Sequence, residues 1–406
     1  MPRHVGANSE VILRKPARAS AAFVPHSDYR PDPSRSIFVS GQINQDLVYS
    51  LTPSIIRLQH ENRSPITVYI DSPGGSILAA GSILRLLKSP ARDSSSPCRL
   101  ITVVTSLAAS SAAILLAAGD YAIAFPDSLI HFHGTRTYRQ DAITVEEAAD
   151  VAKDLKASNE ASAVSLARVR SRNFFFRFIT LREGADAYRA DNPKATTEKD
   201  CFVGMVSEKL TRWGREVIQK ADRRNRRYDA LSARMFKSPA IRKQLDLMEK
   251  GTPKPDYYRN LEAKMLAAII AFEISSNKKN LLWTFERSGM AQVSDDFFLL
   301  TEYIGQHKND WIEGFCEEWK DFILQDADKD AIEALPEEQR KSARVAKLAP
   351  VLLPLWLFFG SICHVLQEAE NPLTPTDAFW LGLVDDIIGE SLPTLRKIAE
   401  HSPRAS

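Results

Sequence analysis

The stretch "TSLAASSAAILLAAGDYAIAFPDSLIHFHG" (residues 105–134) places two adjacent serines, Ser110 and Ser111, among alanines at the head of an apolar run, and two histidines, His131 and His133, at its far end. A buried helix with incidental serines would have this composition, and so would a nucleophile with its base. "AASSAAILLAAG" (108–119) is too rich in small residues and too long for a strand, so it is expected as a buried helix ending at Gly119. "YAIAF" (121–125) and "SLIHFH" (128–133) are expected as strands on either side of Pro126. His131 and His133, two residues apart on such a strand, point to the same face.

Upstream, short β-like runs alternate with helical ones, the mark of an α/β unit. "SIFVSGQI" (36–43) is expected as a strand ending at Gly41, and "DLVYSLTPSIIRLQ" (46–59) as a helix kinked at Pro53. "ITVYID" (66–71) is a β-branched strand that "SPGG" (72–75) closes with a turn, and "SILAAGSILRLLK" (76–88) is an amphipathic helix. "PARDSSSP" (90–97) is a surface loop before the buried strand "RLITVVT" (99–105). Apolar strands alternating with helices imply a parallel sheet covered on both faces. Downstream, Thr144 with Glu147 forms a capping box for a long helix over 145–170, with Val151, Leu155, Ser162, Leu166 and Val169 on one face.

The remaining chain bounds the reading. At 406 residues there is room for two domains or for one with a large insertion, and 44% hydrophobic with 26% charged residues is the balance of a globular protein. A net charge of +2 demands no nucleic-acid partner. The cysteines (Cys98, Cys201, Cys316, Cys363) lack CxxC spacing, so neither a metal site nor a disulfide framework is indicated, and a reducing, cytoplasmic setting is expected. Residues 1–36 are expected as a disordered leader, with a transit peptide the weaker fit, rather than as a secretory signal. From 172 to 367 the chain is charge-rich and helical in period, with breaks near 187–196, 238–239 and 251–255. The basic run "RWGREVIQKADRRNRR" (212–227) fits a solvated helix face better than a nucleic-acid surface. "LAPVLLPLWLFFGSICHVL" (348–366) has nineteen residues without Lys, Arg, Asp or Glu, yet Pro350, Pro354 and His364 favour a buried helix over a membrane span.

A serine is a poor nucleophile at neutral pH unless a base takes its proton and N–H donors meet the oxyanion. Ser110 falls where a strand hands over to a helix, its alanine neighbours leave room for a substrate carbonyl, and the paired glycines of "SPGG" can turn their amides toward a ligand. On these features alone, catalysis and plain packing stand level.

The pieces "FVSGQI", "VYIDSPGGSILAAGSIL", "AASSAAILLAAG" and "AFPDSLIHFHG", in order and with near-family spacing from 37 to 170, resemble the proteolytic subunit of the Clp protease family. "PLTPTDAFWLGLVDDII" (372–388) resembles that family's closing helix and strand. The resemblance implies a Clp/crotonase-like α/β spiral of parallel βαβ units with a long helix, here interrupted by a helical insertion. The domain reading is a leader (1–36), a catalytic core (37–171), a helical insertion (172–367) and a return to the core (368–406). The function implied is that of a serine endopeptidase in which Ser110 attacks, His133 is the base, and the amides of Gly75 and Ser111 form the oxyanion hole. His131 is the rival base. The family's acid register, counted from Leu373, lands on Glu370, where the family carries aspartate; "TEKDCF" nominates Asp200 as the rival acid. No metal or cofactor is implied. The implied partners are unfolded polypeptides or peptides, other copies of the chain in an oligomer, and an ATP-driven unfoldase. Three alternatives share parts of this pattern: a signal peptide peptidase A-like membrane-associated enzyme, a non-catalytic ring or scaffold subunit, and a crotonase-like acyl-CoA enzyme.

Overall fold

The computed structural model describes residues 32–90, 97–137, 141–182, 184–237 and 326–390, together with residues 239, 243 and 392. Most of residues 1–36, Cys316 and the break at 251–255 lie outside the described residues. The chain divides into two compact units, the first formed by residues 1–133, 169–217 and 368–406, the second by 134–168 and 218–367.

The first unit is built on a parallel sheet. Its strands are β1 (Ser36–Ile43), β2 (Ile66–Gly75), β3 (Leu100–Ala109), β4 (Tyr121–Ala124), β5 (Leu129–His131) and β6 (Asp386–Ile387), in the order β1-β2-β3-β4-β6 with β5 also on β3. One long strand, β3, serves two neighbours in succession: Ile101–Val104 pair with β4, and Leu107–Ala109 pair with β5. Pro126, between β4 and β5, marks the step from one half to the other. The β-branched and leucine runs explain the core, since Val39, Val68, Ile70, Ile101, Val104, Ala122 and Ile130 are all buried.

Helices α1 (Gln45–Glu61) and α2 (Ile77–Leu87) connect the first strands, and the short α3 (Ser111–Ala117) packs on β2 and β3. Asn44 caps α1 by accepting from the Leu47 amide, and Ser76 caps α2 by accepting from Ala79. Pro53 lies inside α1 without ending it.

Several elements differ from their sequence expectation. Ala108 and Ala109, expected in a helix, belong to β3, and the helix starts only at Ser111. They are buried and pair with Ser72 of β2 and with Ile130 and His131 of β5, so tertiary pairing overrides their helical propensity. "SPGG" is extended rather than a turn: Gly74 and Gly75 pair with Gln42 and Ile43 after a bulge, so β1 also runs past Gly41 to Ile43. Among the described residues β1 is an edge strand, where Phe38 is 63% exposed and stacks on Tyr69 with ring centroids 5.1 Å apart.

The long helix α4 (Val145–Arg182) has 38 residues, past the expected end at 170. Its capping box is present: the Thr144 amide donates to Glu147 and the Glu147 amide donates to Thr144 Oγ1. Val169, expected on the buried face, is exposed, because the buried stripe runs instead through Leu166, Arg170, Phe174, Arg177, Phe178 and Leu181. Helices α5 (Ala185–Asp191) and α6 (Glu198–Lys209) follow, and α10 (Pro375–Trp380) leads into β6. Between them lie α7 (Arg212–Lys237), α8 (Asp326–Glu333) and α9 (Glu337–Gln367).

In the second unit the apolar side chains of α9 are buried, among them Leu355, Phe358, Phe359, Ile362 and Leu366. The helix runs through Pro350 and Pro354 without a break. Among the described residues no helix is long and apolar enough to cross a membrane.

Within the first unit, buried charge fastens the closing segment. The Asp385 carboxylate accepts from the Ala122 amide (2.7 Å), Arg170 Nη2 (2.9 Å) and Asn173 Nδ2 (2.6 Å). Arg170 also donates to the Gly382 carbonyl, and Arg177 donates to the carbonyls of Phe379 and Asp385 while lying over the Phe379 ring. Such burial is tolerable because nearly every donor and acceptor has a partner. Desolvation pulls the Arg177 guanidinium down to about 9, against the opposing pull of Asp385.

Candidate active site

Ser110 is the one non-glycine residue with positive φ among the described residues, at φ 58° and ψ −126°. A conformation this strained persists only where its surroundings over-determine it, and such residues cluster at functional sites. Here the determinants are visible. The Ser110 amide donates to the His131 carbonyl (2.8 Å), and its own carbonyl accepts from Ala113 and Ile114 as α3 begins. Ser110 occupies the N-cap position, yet its hydroxyl makes no capping bond. The side chain is half-buried and uncommitted to the helix.

Gly74 and Gly75 close around this point for different reasons. A Cβ on Gly74 would lie 2.4 Å from the Ala109 carbonyl oxygen, 2.6 Å from Ser110 Cβ and 3.1 Å from the Ser111 nitrogen. Its φ of +90° further favours glycine. A Cβ on Gly75 would meet the Ile43 carbonyl at 2.2 Å. The bare backbone of β2 therefore runs directly against the serine pair. Ser111 Oγ donates to the Gly75 carbonyl (3.3 Å), which brings the two residues expected to form the oxyanion hole together. The Gly74 amide donates to Ser72 Oγ, and Ser72 in turn donates to the Gly41 carbonyl, so the Gly74 N–H is already engaged.

The histidines lie beside the serine through strand pairing. Ala109 pairs with His131 in the β3–β5 ladder, which sets β5 against the end of the nucleophile strand. Ile130 and Phe132 are buried, whereas His131 and His133 are half-buried on the alternate face; their ring centroids lie 5.3 Å apart. His131 Nε2 is closed off from solvent.

The other edge of β5 receives the closing segment. Ile130 and Leu373 exchange both backbone hydrogen bonds as an antiparallel bridge, with N···O distances of 3.1 and 2.7 Å. The His-bearing strand is thus flanked by the serine strand on one side and by the segment carrying Glu370 on the other. Glu370 lies three residues before this bridge, on the far side of a bend at Asn371. Glu370 is exposed. Asp200 occupies a different setting: it is the N3 residue of the α6 capping box, its carboxylate accepting from the Thr197 amide (3.1 Å) and its amide donating to Thr197 Oγ1. That carboxylate caps a helix.

Sequence reasoning singled out Gly75 of the glycine pair and gave no role to Gly74, whose missing Cβ leaves room for Ala109, Ser110 and Ser111. It missed Ser72, whose hydroxyl ties the glycine segment to β1, and the buried Arg170, Asn173 and Arg177. The last three share the buried stripe of α4, a spacing that was readable but is masked by their polarity. Among the described residues no group of His, Cys, Asp or Glu could hold a metal ion.

Comparison with known proteins bears on the family. A family model described as Clp protease matches residues 30–165. The chain is similar to ATP-dependent Clp protease proteolytic subunit 2 of Prochlorococcus marinus strain NATL2A, at 34% identity over 119 residues, 28% of this chain and 56% of that protein. It is similar also to proteolytic subunit 2 of strain MIT 9312, at 31% identity over 147 residues, 34% of this chain and 67% of that protein. The chain thus spans little more than half the length of the first of these relatives. A solved structure of a mutant ClpP1 from Listeria monocytogenes aligns over 34% of this chain and 73% of its own, with 21% identity and a TM-score of 0.29.

Proposed function

The chain belongs to the Clp protease family, and from that membership we propose that it is a serine endopeptidase whose nucleophile is Ser110. The observation that carries the proposal is the strained backbone of Ser110, pinned by His131 and the bare glycine strand with its hydroxyl left out of the helix cap.

In this reading His133 takes the Ser110 proton as the hydroxyl attacks a peptide carbonyl, and later gives it to the leaving amine. The position of His133 beyond the end of β5 suits a ring that must exchange protons with substrate; the closed-off Nε2 of His131 suits a packing role. The amides of Gly75 and Ser111 meet the oxyanion, and water then releases the acyl group. Removing one such donor typically costs ~2.7–4 kcal/mol of transition-state stabilisation. Glu370 orients His133; in its favour are its place three residues before the Leu373 bridge and the capping role that already occupies Asp200. The substrates are peptides or unfolded polypeptides, handled by an oligomer of this chain and delivered by an ATP-driven partner. These follow from the family rather than from the geometry.

Hydrolysis of a quenched fluorescent peptide library by the purified full chain tests the proposal. Activity abolished in Ser110→Ala and retained in Ser111→Ala is expected. Activity that survives Ser110→Ala would overturn it.

A further inference from the structure

The closing segment that bears Glu370 is held from a part of the chain that the family match, ending at residue 165, leaves unaccounted for. Thr211, between α6 and α7, donates from its backbone amide to Asp377 Oδ1 (2.8 Å) and from Oγ1 to Asp377 Oδ2 (2.6 Å). Its Oγ1 also accepts from the Gly214 amide (3.4 Å), so the same hydroxyl caps the start of α7. Gly214 is where a Cβ would fall 2.5 Å from Asp377 Oδ1, so the absent side chain permits the approach. On its own side Asp377 closes the capping box of α10. Its carboxylate accepts from the Thr374 amide, and its amide donates to Thr374 Oγ1. Asp377 is buried, and its carboxylate therefore joins two helix starts at a fixed point.

The consequence lies one residue away. Thr374 follows Leu373, whose amide and carbonyl are both bonded to Ile130, next to His131 on the strand that leads to His133. Fixing Thr374 fixes Leu373, and Leu373 anchors the short run back to Glu370. We infer that Thr211, acting through Asp377, is a positioning residue for the segment that carries the triad acid. The helical segment after α4 would then be part of the catalytic scaffold rather than an appendage. The catalytic half of this inference rests on the endopeptidase reading; its structural half does not.

Thr211→Val removes the hydroxyl but keeps the branched shape and the backbone donor, and Thr211→Ser restores the hydroxyl. In the full-length protein, hydrogen exchange followed by mass spectrometry should show the Leu373 amide of Thr211→Val exchanging about tenfold faster, as expected for loss of one charge-assisted bond. In peptide hydrolysis kcat should fall about tenfold with KM changed less than about twofold, because the acid acts in the transition state. Thr211→Ser should return both to wild-type values. Asp377→Asn, which keeps the side-chain shape, should reproduce the faster exchange if Thr211→Val does not fold. Unchanged Leu373 exchange in a folded variant overturns the inference. If the wild-type protein hydrolyses no peptide, the endopeptidase reading alone falls, and the exchange result still decides the clasp.

Discussion

Replacing Gly74 by alanine probes the closest approach in the candidate site. The new methyl group would sit 2.4 Å from the Ala109 carbonyl oxygen and 2.6 Å from Ser110 Cβ. Ordinary contacts between such atoms lie near 3.3–4.0 Å, so the Ala109–Ser110 backbone must retreat by about 1 Å. A misplacement of that size at a reacting group costs on the order of 10²-fold in rate. The methyl would also stand 3.1 Å from the Ser111 nitrogen, the N–H proposed to meet the oxyanion. Loss of that donor is worth on the order of 10²–10³-fold in kcat. The two effects share one displacement and do not multiply, so a fall in kcat of about 10²–10³-fold is expected with little change in KM. The φ of +90° adds strain of roughly 1–3 kcal/mol, which lowers the melting temperature without unfolding the chain at 25 °C. Gly41→Ala is the control: φ is +70° there, but nothing lies within 4 Å of the added atom. It should lower stability and leave kcat alone. Steady-state hydrolysis of a fluorogenic peptide, with thermal melting monitored by circular dichroism, measures both. A folded Gly74→Ala protein whose kcat stays within about threefold of wild type would refute the close-approach reasoning.

The other expectations follow from the buried groups and the proposed acid. Arg170→Met leaves the Asp385 carboxylate buried without its charged partner and should destabilise the fold by about 3–5 kcal/mol in urea denaturation; a loss below about 1 kcal/mol would mean the pair is solvated. Asp386 has its pKa raised by burial, so its folded-state pKa lies above the unfolded value near 3.8. The folded state therefore binds more protons in that window, and stability declines as pH rises from the unfolded value through the folded one. Asp386→Asn should flatten this decline, as read from melting temperatures across acid pH; an unchanged slope would assign it to another group. Cys98, Cys201 and Cys363 are buried free thiols, and burial pushes the Cys363 thiol well above its ordinary range. Mass-mapped alkylation should modify none of the three until the chain unfolds. Glu370→Gln should lower kcat by at least ~10²-fold, whereas Asp200→Asn should change melting temperature more than kcat; the reverse pattern would exchange their roles.

Much of the sheet was legible because its strands are apolar, β-branched runs bounded by Gly, Pro and Ser. The capping box at Thr144 was legible for a similar reason, since one spacing defines it. Ala108 and Ala109 were misread because alanine favours helix locally, while here their backbone pairs with β2 and β5. "SPGG" looked like a turn because its glycines serve φ above zero, yet here they also let β2 continue alongside β1. The stripe of α4 was misassigned to Val169 because a hydrophobic count passes over arginines, and it is Arg170 and Arg177 that are buried. Ser110 and His131 are 21 residues apart, and local strand pairing joins them. The return of the closing segment lay beyond such local reasoning: it meets the sheet at the Ile130–Leu373 bridge, a contact between residues 243 positions apart, and again where β6 pairs with β4.

The most direct test of the central claim is peptide mapping by mass spectrometry after reaction with a fluorophosphonate. Such probes need a serine oxygen activated by a base, and the adduct forms with its phosphoryl oxygen in the oxyanion hole. The account predicts a single adduct on Ser110, formed in Ser111→Ala and abolished in His133→Ala. An adduct on Ser111, or a folded protein that takes no label, would contradict it.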